Sequence, residues 1–98
     1  MSRTEILKAI SKNESTLRAF QVKRLLLFGS AAREELRAAS DLDFLVEFID
    51  LATFDNFMGL KLYLEELLGC SVDLVTQKAL RSALRPAVER DALPIYVA

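Results

Sequence analysis

The 98-residue sequence has no histidine, no tryptophan and a single cysteine. The missing histidine excludes a Ser-His-Asp triad and His-ligated zinc. Cys70 has no second thiol to pair with, so no disulfide braces the fold from within. That suits a reducing compartment, and a cytoplasmic location is the expectation. Cys70 lies beside the apolar run Val72 to Val75 and reads as a buried small hydrophobe rather than a reactive thiol. No apolar stretch nears the ~20 residues of a membrane span, and the N-terminus has no signal-peptide core. The formal net charge is −1. A chain held to DNA or RNA by its backbone phosphates needs a basic face, so direct nucleic-acid binding is not expected. There is no repeat, low-complexity segment or linker, and the expectation is one domain over residues 1–98.

What is present is apolar material, 52% of the residues, arranged in short periodic runs. Ser2 and Glu5 have capping-box spacing, so a helix is expected from residue 3, with Ile6, Leu7, Ile10 and Leu17 on one face and fraying near residues 15–19. Leu25-Leu26-Leu27-Phe28 closes a strand over about 23–28, covered on both faces. Gly29-Ser30 turns, Ala31 to about Arg37 reads as a short helix, and a second strand covers about 42–48. Thr53 is a candidate N-cap for a helix running to Leu68, with Gly69 as its C-terminal cap. That helix carries more apolar side chains than one buried stripe uses. Either it is wedged deep in its own core or part of it meets a second protein. Gly59 inside it implies close packing. Strand three follows at 71–75. Thr76 can cap a helix over 77–84, and Pro86 can sit in the first turn of another ending near Asp91. Leu93 to Val97 forms a last strand, placed at a sheet edge by Pro94. The order αβαβαβααβ gives an α/β (α+β) domain with a small mixed or parallel sheet covered by helices.

Three carboxylates break this apolar pattern. Asp41 and Asp43 head the second strand and, two residues apart, share a face. Asp73 interrupts strand three, with Val72 and Leu74 on the opposite face. If strands two and three are neighbours, the three acids meet, repel one another and lose hydration. A hard divalent cation, Mg²⁺ or Mn²⁺, resolves the conflict, and two such ions could clamp both oxygens of a phosphoryl displacement. The Gly29-Ser30 turn supplies the complement: backbone approach at Gly29, amide donors and the Ser30 hydroxyl for a phosphate, and Arg33 one helical turn on. Gly-Ser after a strand is often only a turn, and Asp-x-Asp is often a strand-end turn. The combination is far more specific.

Gly-Ser, ten residues, Asp-x-Asp and a later strand Asp resemble the nucleotidyltransferase signature of the DNA polymerase β superfamily. The context GSAAREELRAASDLDFLVEF and the later VDLV resemble its minimal nucleotidyltransferase (MNT) branch, over nearly the whole chain. The resemblance implies the nucleotidyltransferase fold, a mixed β-sheet flanked by helices. It implies that Gly29 and Ser30 hold a triphosphate, with Arg33 the arginine of the GSxAR pattern. Asp41 and Asp43 would bind Mg²⁺, two ions being expected, and Asp73 would be the third ligand and activate the acceptor hydroxyl. Glu34 stands where many members have glycine. The implied function is that of an antitoxin paired with a HEPN ribonuclease toxin, transferring AMP from ATP to a tyrosine hydroxyl of that toxin. Two alternatives stay open: an antitoxin with a weak or inactive site that neutralises by binding, and a nucleotide- or metal-binding α/β domain without transfer chemistry. Homo-oligomerisation is left open.

Overall fold

In the computed structural model, residues 2–29, 41–80 and 85–98 are described. Helix α1 spans Arg3–Ser11 and α2 Glu14–Ala19. Strand β1 spans Val22–Phe28, β2 Leu42–Phe48, helix α3 Phe54–Leu68 and β3 Val72–Thr76. Helix α4 (Arg85–Asp91) and β4 (Leu93–Val97) close the chain. The sheet order is β3-β2-β1-β4. It is mixed: β1 runs antiparallel to β2 and β4, while β2 and β3 are parallel. The parallel pair needs a crossover, which α3 supplies.

The helix ends follow their residues. Ser2 Oγ accepts from the Glu5 amide at 3.2 Å, and the Glu5 carboxylate accepts the Ser2 amide at 3.3 Å, completing the capping box. The N-terminal helix does not run through to residue 19. Asn13 Nδ2 donates to the Ala9 carbonyl at 2.7 Å, a side-chain bond that competes with the helical ladder. A second helix starts directly after it, so the expected frayed region is α2, with Leu17 buried. Thr53 Oγ1 accepts the Asn56 amide at 3.0 Å, and Gly69, at φ +70°, ends α3.

Two apolar clusters sandwich the sheet. The larger packs Leu25, Leu27, Leu42, Phe44, Val46, Val72 and Leu74 against Ile6, Ile10, Leu17 and the inner face of α3, namely Leu60, Leu64 and Leu68. The surplus on α3 divides: that inner face is buried, whereas Phe54 and Leu62 are exposed. A Cβ at Gly59 would come to 3.0 Å from Phe20 Cε1, which is the close packing expected there. On the other sheet face Leu26 and Leu45 meet Val88 of α4, with Phe28, Val75, Leu80 and Ala92 around them. β1 is therefore covered on both faces, and Pro94 does lie on an edge strand.

The expected helix over 31–37 lies outside the described residues. Of the helix expected over 77–84, residues 77–80 form a turn instead, in which Thr76 Oγ1 accepts the Ala79 amide at 3.2 Å; the remainder lies outside the described residues. Cys70 is half-buried against the larger cluster rather than fully buried.

The Tyr96 hydroxyl is buried with no hydrogen-bond partner among the described residues. An unmet buried hydroxyl is a liability, so Tyr96→Phe is expected to raise the unfolding free energy by about 1 kcal/mol in urea titration. A loss of stability would show that the hydroxyl has a partner.

Candidate active site

The site is built on the β2–β3 pairing. Leu42 stands opposite Val72, Asp43 opposite Asp73 and Phe44 opposite Leu74. Paired residues on adjacent strands project to the same side, and neighbouring strands lie ~4.8 Å apart. Leu42, Phe44, Val72 and Leu74 all enter the larger cluster, so Asp43 and Asp73 project together from the opposite face. Asp41, one residue before β2, has the same parity. Asp43 is half-buried, while Asp41 and Asp73 are exposed. On its other side Asp43 faces Phe28 of β1, giving the cross-strand row Phe28–Asp43–Asp73. The next row, Leu26–Leu45–Val75, is apolar. The acids thus stand at one end of a face whose middle is sealed by α4.

Gly29 joins the turn to this row. Its φ is +72°, and a Cβ built there would collide with Asp43 Oδ2. Glycine is required twice over: for the left-handed backbone, and for the space the carboxylate occupies. Ser30 and Arg33, the other expected phosphate-binding residues, lie outside the described residues, as does Glu34.

The start of β3 is held from both sides. The Leu42 amide donates to the Ser71 carbonyl at 3.0 Å. The Val72 amide donates to Glu65 Oε2 of α3 at 3.0 Å, and Lys61 Nζ pairs with the same oxygen at 3.3 Å. Glu65 therefore fixes the residue before Asp73. Sequence reasoning missed it: the Lys61/Glu65 spacing signals only an i,i+4 pair, and nothing in it marks the reach to β3. The Val72 amide and Lys61 hold the Glu65 carboxyl below its ordinary value of 4.5. Near the acids, burial pushes the Cys70 thiol up, with Asp41 and Glu65 adding to the effect.

Among the described residues, no three acidic or thiol side chains converge as a complete ion cage. The donor set itself is all oxygen, on one face, at one end of the sheet. That fits Mg²⁺, which is commonly held by one or two carboxylates together with substrate phosphates rather than by an all-protein cage. Asp43 and Asp73 are the residues that could hold it; the expected meeting of all three acids is not seen, since Asp41 precedes β2 and forms no three-acid group with them.

A mixed sheet with two carboxylates in register beside a glycine at positive φ is an arrangement compatible with nucleotidyl transfer. The pattern of the nucleotidyltransferase domain matches residues 4–96, and the chain belongs to that family. Protein adenylyltransferase MntA of Thermococcus cleftensis is 37% identical over 94 residues, covering 95% of this chain and 93% of that protein. A candidate protein adenylyltransferase of Methanocaldococcus jannaschii is 38% identical over 96 residues, 96% of each chain. A solved candidate minimal nucleotidyltransferase superposes with a TM-score of 0.84 at 38% identity, again over 96% of each. A chain from the complex of tri-AMPylated Shewanella oneidensis HEPN toxin with MNT antitoxin shares the fold, with a TM-score of 0.69 at 21% identity, over 95% of this chain and 73% of that one. The chain is thus an enzyme of the nucleotidyltransferase class, in the branch of the protein adenylyltransferases. No helix among the described residues is long and apolar enough to cross a membrane.

Two outcomes follow from this geometry. Gly29 and Gly69 have nearly equal positive φ, but nothing lies within 4 Å of a Cβ at Gly69. Gly69→Ala should cost about 1–2 kcal/mol from the backbone alone. Gly29→Ala should cost about 1–3 kcal/mol more, and an Asp43→Ala background should remove that excess in a double-mutant cycle. Equal costs for the two alanines would refute the contact. For Glu65, the folded pKa is depressed, so its contribution is present above the unfolded value and lost as pH falls through the folded one. Unfolding free energy should therefore fall less steeply with acidification below 4.5 in Glu65→Gln than in the parent.

Proposed function

We propose that the chain, as a single domain over residues 1–98, is a Mg²⁺-dependent protein adenylyltransferase acting as an antitoxin. It moves AMP from ATP to a tyrosine hydroxyl of a HEPN ribonuclease toxin. The observation that carries this reading is the Asp43–Asp73 register pair beside the Gly29 turn. The AMPylated HEPN toxin seen with its MNT antitoxin in Shewanella oneidensis supports the acceptor class, and a related toxin–antitoxin complex with AMP-PNP supports the donor.

In this mechanism Gly29, with Ser30 and Arg33, receives the triphosphate. Asp41 and Asp43 would hold the cation, with Asp73 as a third ligand. Bound Mg²⁺ supplies charge neutralisation at the phosphates and at the oxygens that form and break bonds. Asp73 orients the tyrosine hydroxyl and takes its proton as the phenolic oxygen bonds the α-phosphorus. The bond from that phosphorus to the bridging oxygen breaks, and pyrophosphate leaves. The exposure of Asp73 at the edge strand leaves room for an acceptor delivered by another protein.

With labelled ATP and Mg²⁺, the HEPN-type protein encoded beside this chain should become labelled on tyrosine. Asp43→Asn and Asp73→Asn should each lower the rate roughly 10²-fold or more. No label on a folded toxin would sink the catalytic reading. Toxin neutralisation undiminished in Asp43→Asn would instead establish a steric antitoxin.

A further inference from the structure

At the far ends of β2 and β3 from the carboxylates, a cleft of about 650 Å³ opens. Its walls come from the end of β2 and the loop after it, from the turn after β3, and from Arg85 at the start of α4. The parallel register ends at Val46 opposite Thr76, three residues past Asp43 and Asp73. The cleft therefore lies roughly 10 Å along the strands from the acids, and shares no residue with them.

Two features define its occupant. The first is apolar exposure. Ile49 and Leu51 on the wall are 53% and 85% exposed, and Phe54, 77% exposed, opens α3 just beyond. Single exposed apolar side chains are ordinary, but three large ones within six positions, over this loop and the start of α3, form a patch of the kind that proteins use for contact. The second is charge. Lys78 and Arg85 are exposed on the walls, and neither makes an ion pair or hydrogen bond among the described residues. Glu47 is already held by Arg24 Nε at 2.9 Å and Lys23 Nζ at 3.5 Å. That leaves Asp50 as the wall carboxylate outside this network. With Glu47 neutralised from outside the cleft, Lys78 and Arg85 face Asp50 alone, on a chain whose net charge is −1. A bare phosphate would satisfy the cations and leave Leu51 in water. A basic segment would be repelled.

We infer that this cleft is the docking groove for an acidic segment of the partner protein, one that seats an aliphatic or aromatic side chain against Ile49 and Leu51 and sets a carboxylate between Lys78 and Arg85. The inference rests on the reading that the acceptor is a protein. Binding energy gathered here, away from the reacting atoms, would hold the acceptor hydroxyl in place at Asp73.

The test is calorimetric affinity of the full chain for the adjacent-gene HEPN-type protein, without nucleotide and at two salt concentrations. Leu51→Ser is expected to weaken binding roughly tenfold or more. The double variant Lys78→Ala/Arg85→Ala should weaken it at low salt and flatten its salt dependence. Both should keep the parent's thermal midpoint. Parental affinity in both variants overturns the inference. So does a parent chain that forms no complex yet transfers AMP. If sedimentation shows that Leu51→Ser changes this chain's own oligomeric state instead, the groove belongs to a second copy and the inference falls. A complex that forms as described while AMP transfer fails sinks the catalytic reading alone and supports the groove.

Discussion

The parallel pairing of β2 with β3 is the constraint on which the remainder depends. It alone sets Asp43 opposite Asp73. Shifting it by one residue would turn one acid into the core and bring an apolar side chain out to the site. The register is secured where it matters. Leu42 bonds Ser71 across the strands, Glu65 reaches from α3 to the Val72 amide, and the alternate residues are locked in the larger cluster. Packing thus resolves a cost that electrostatics imposes. Two carboxylates are held side by side by the burial of their neighbours rather than by attraction to each other.

The two faces of the sheet divide the labour. One is wholly structural, sealed by α1, α2 and the inner side of α3. The other is layered along the strands: carboxylates at one end, a small apolar patch under Val88 in the middle, and the Arg24–Glu47 pair at the other end. This layering lets a chain that buries no charged side chain among its described residues still present a dense polar edge. It also separates the exposed loop of Ile49 and Leu51 from the acids by the width of a helix.

Much of this was legible in the sequence, for local reasons. Ser2, Glu5, Thr53 and Gly69 act on backbone groups within a few residues, so their caps could be read directly. The alternation in Leu42 to Val46 and in Val72 to Val75 fixed which side chains share a face. The break at Asn13 was not legible, because a single side-chain bond to Ala9 outweighed the periodicity of the surrounding apolar residues. Nor was the split of α3 into buried and exposed apolar faces, since periodicity counts hydrophobes without knowing what lies opposite each. At the site, spacing and residue type nominated Asp41, Asp43 and Asp73, and the topology brought the last two into register. The clash that a side chain at position 29 would meet, and the reach of Glu65 to Val72, are long-range contacts with no local signature.

The crossover between the two acid-bearing strands also has a consequence in time. A hairpin brings its strands together through a few residues, but β2 and β3 are joined only through α3 and its loops, and parallel neighbours cannot meet by a tight turn. Loop closure over that distance comes at an entropic cost before any ladder bond repays it. Helix α3, capped at both ends, shortens the search by converting fifteen residues into one rigid rod. Until that rod is laid on the sheet, the two carboxylates are simply remote, mutually indifferent charges on a chain. The pair of acids therefore comes into being only with that crossover contact, and a chain caught short of it has a core in progress and its candidate ligands apart.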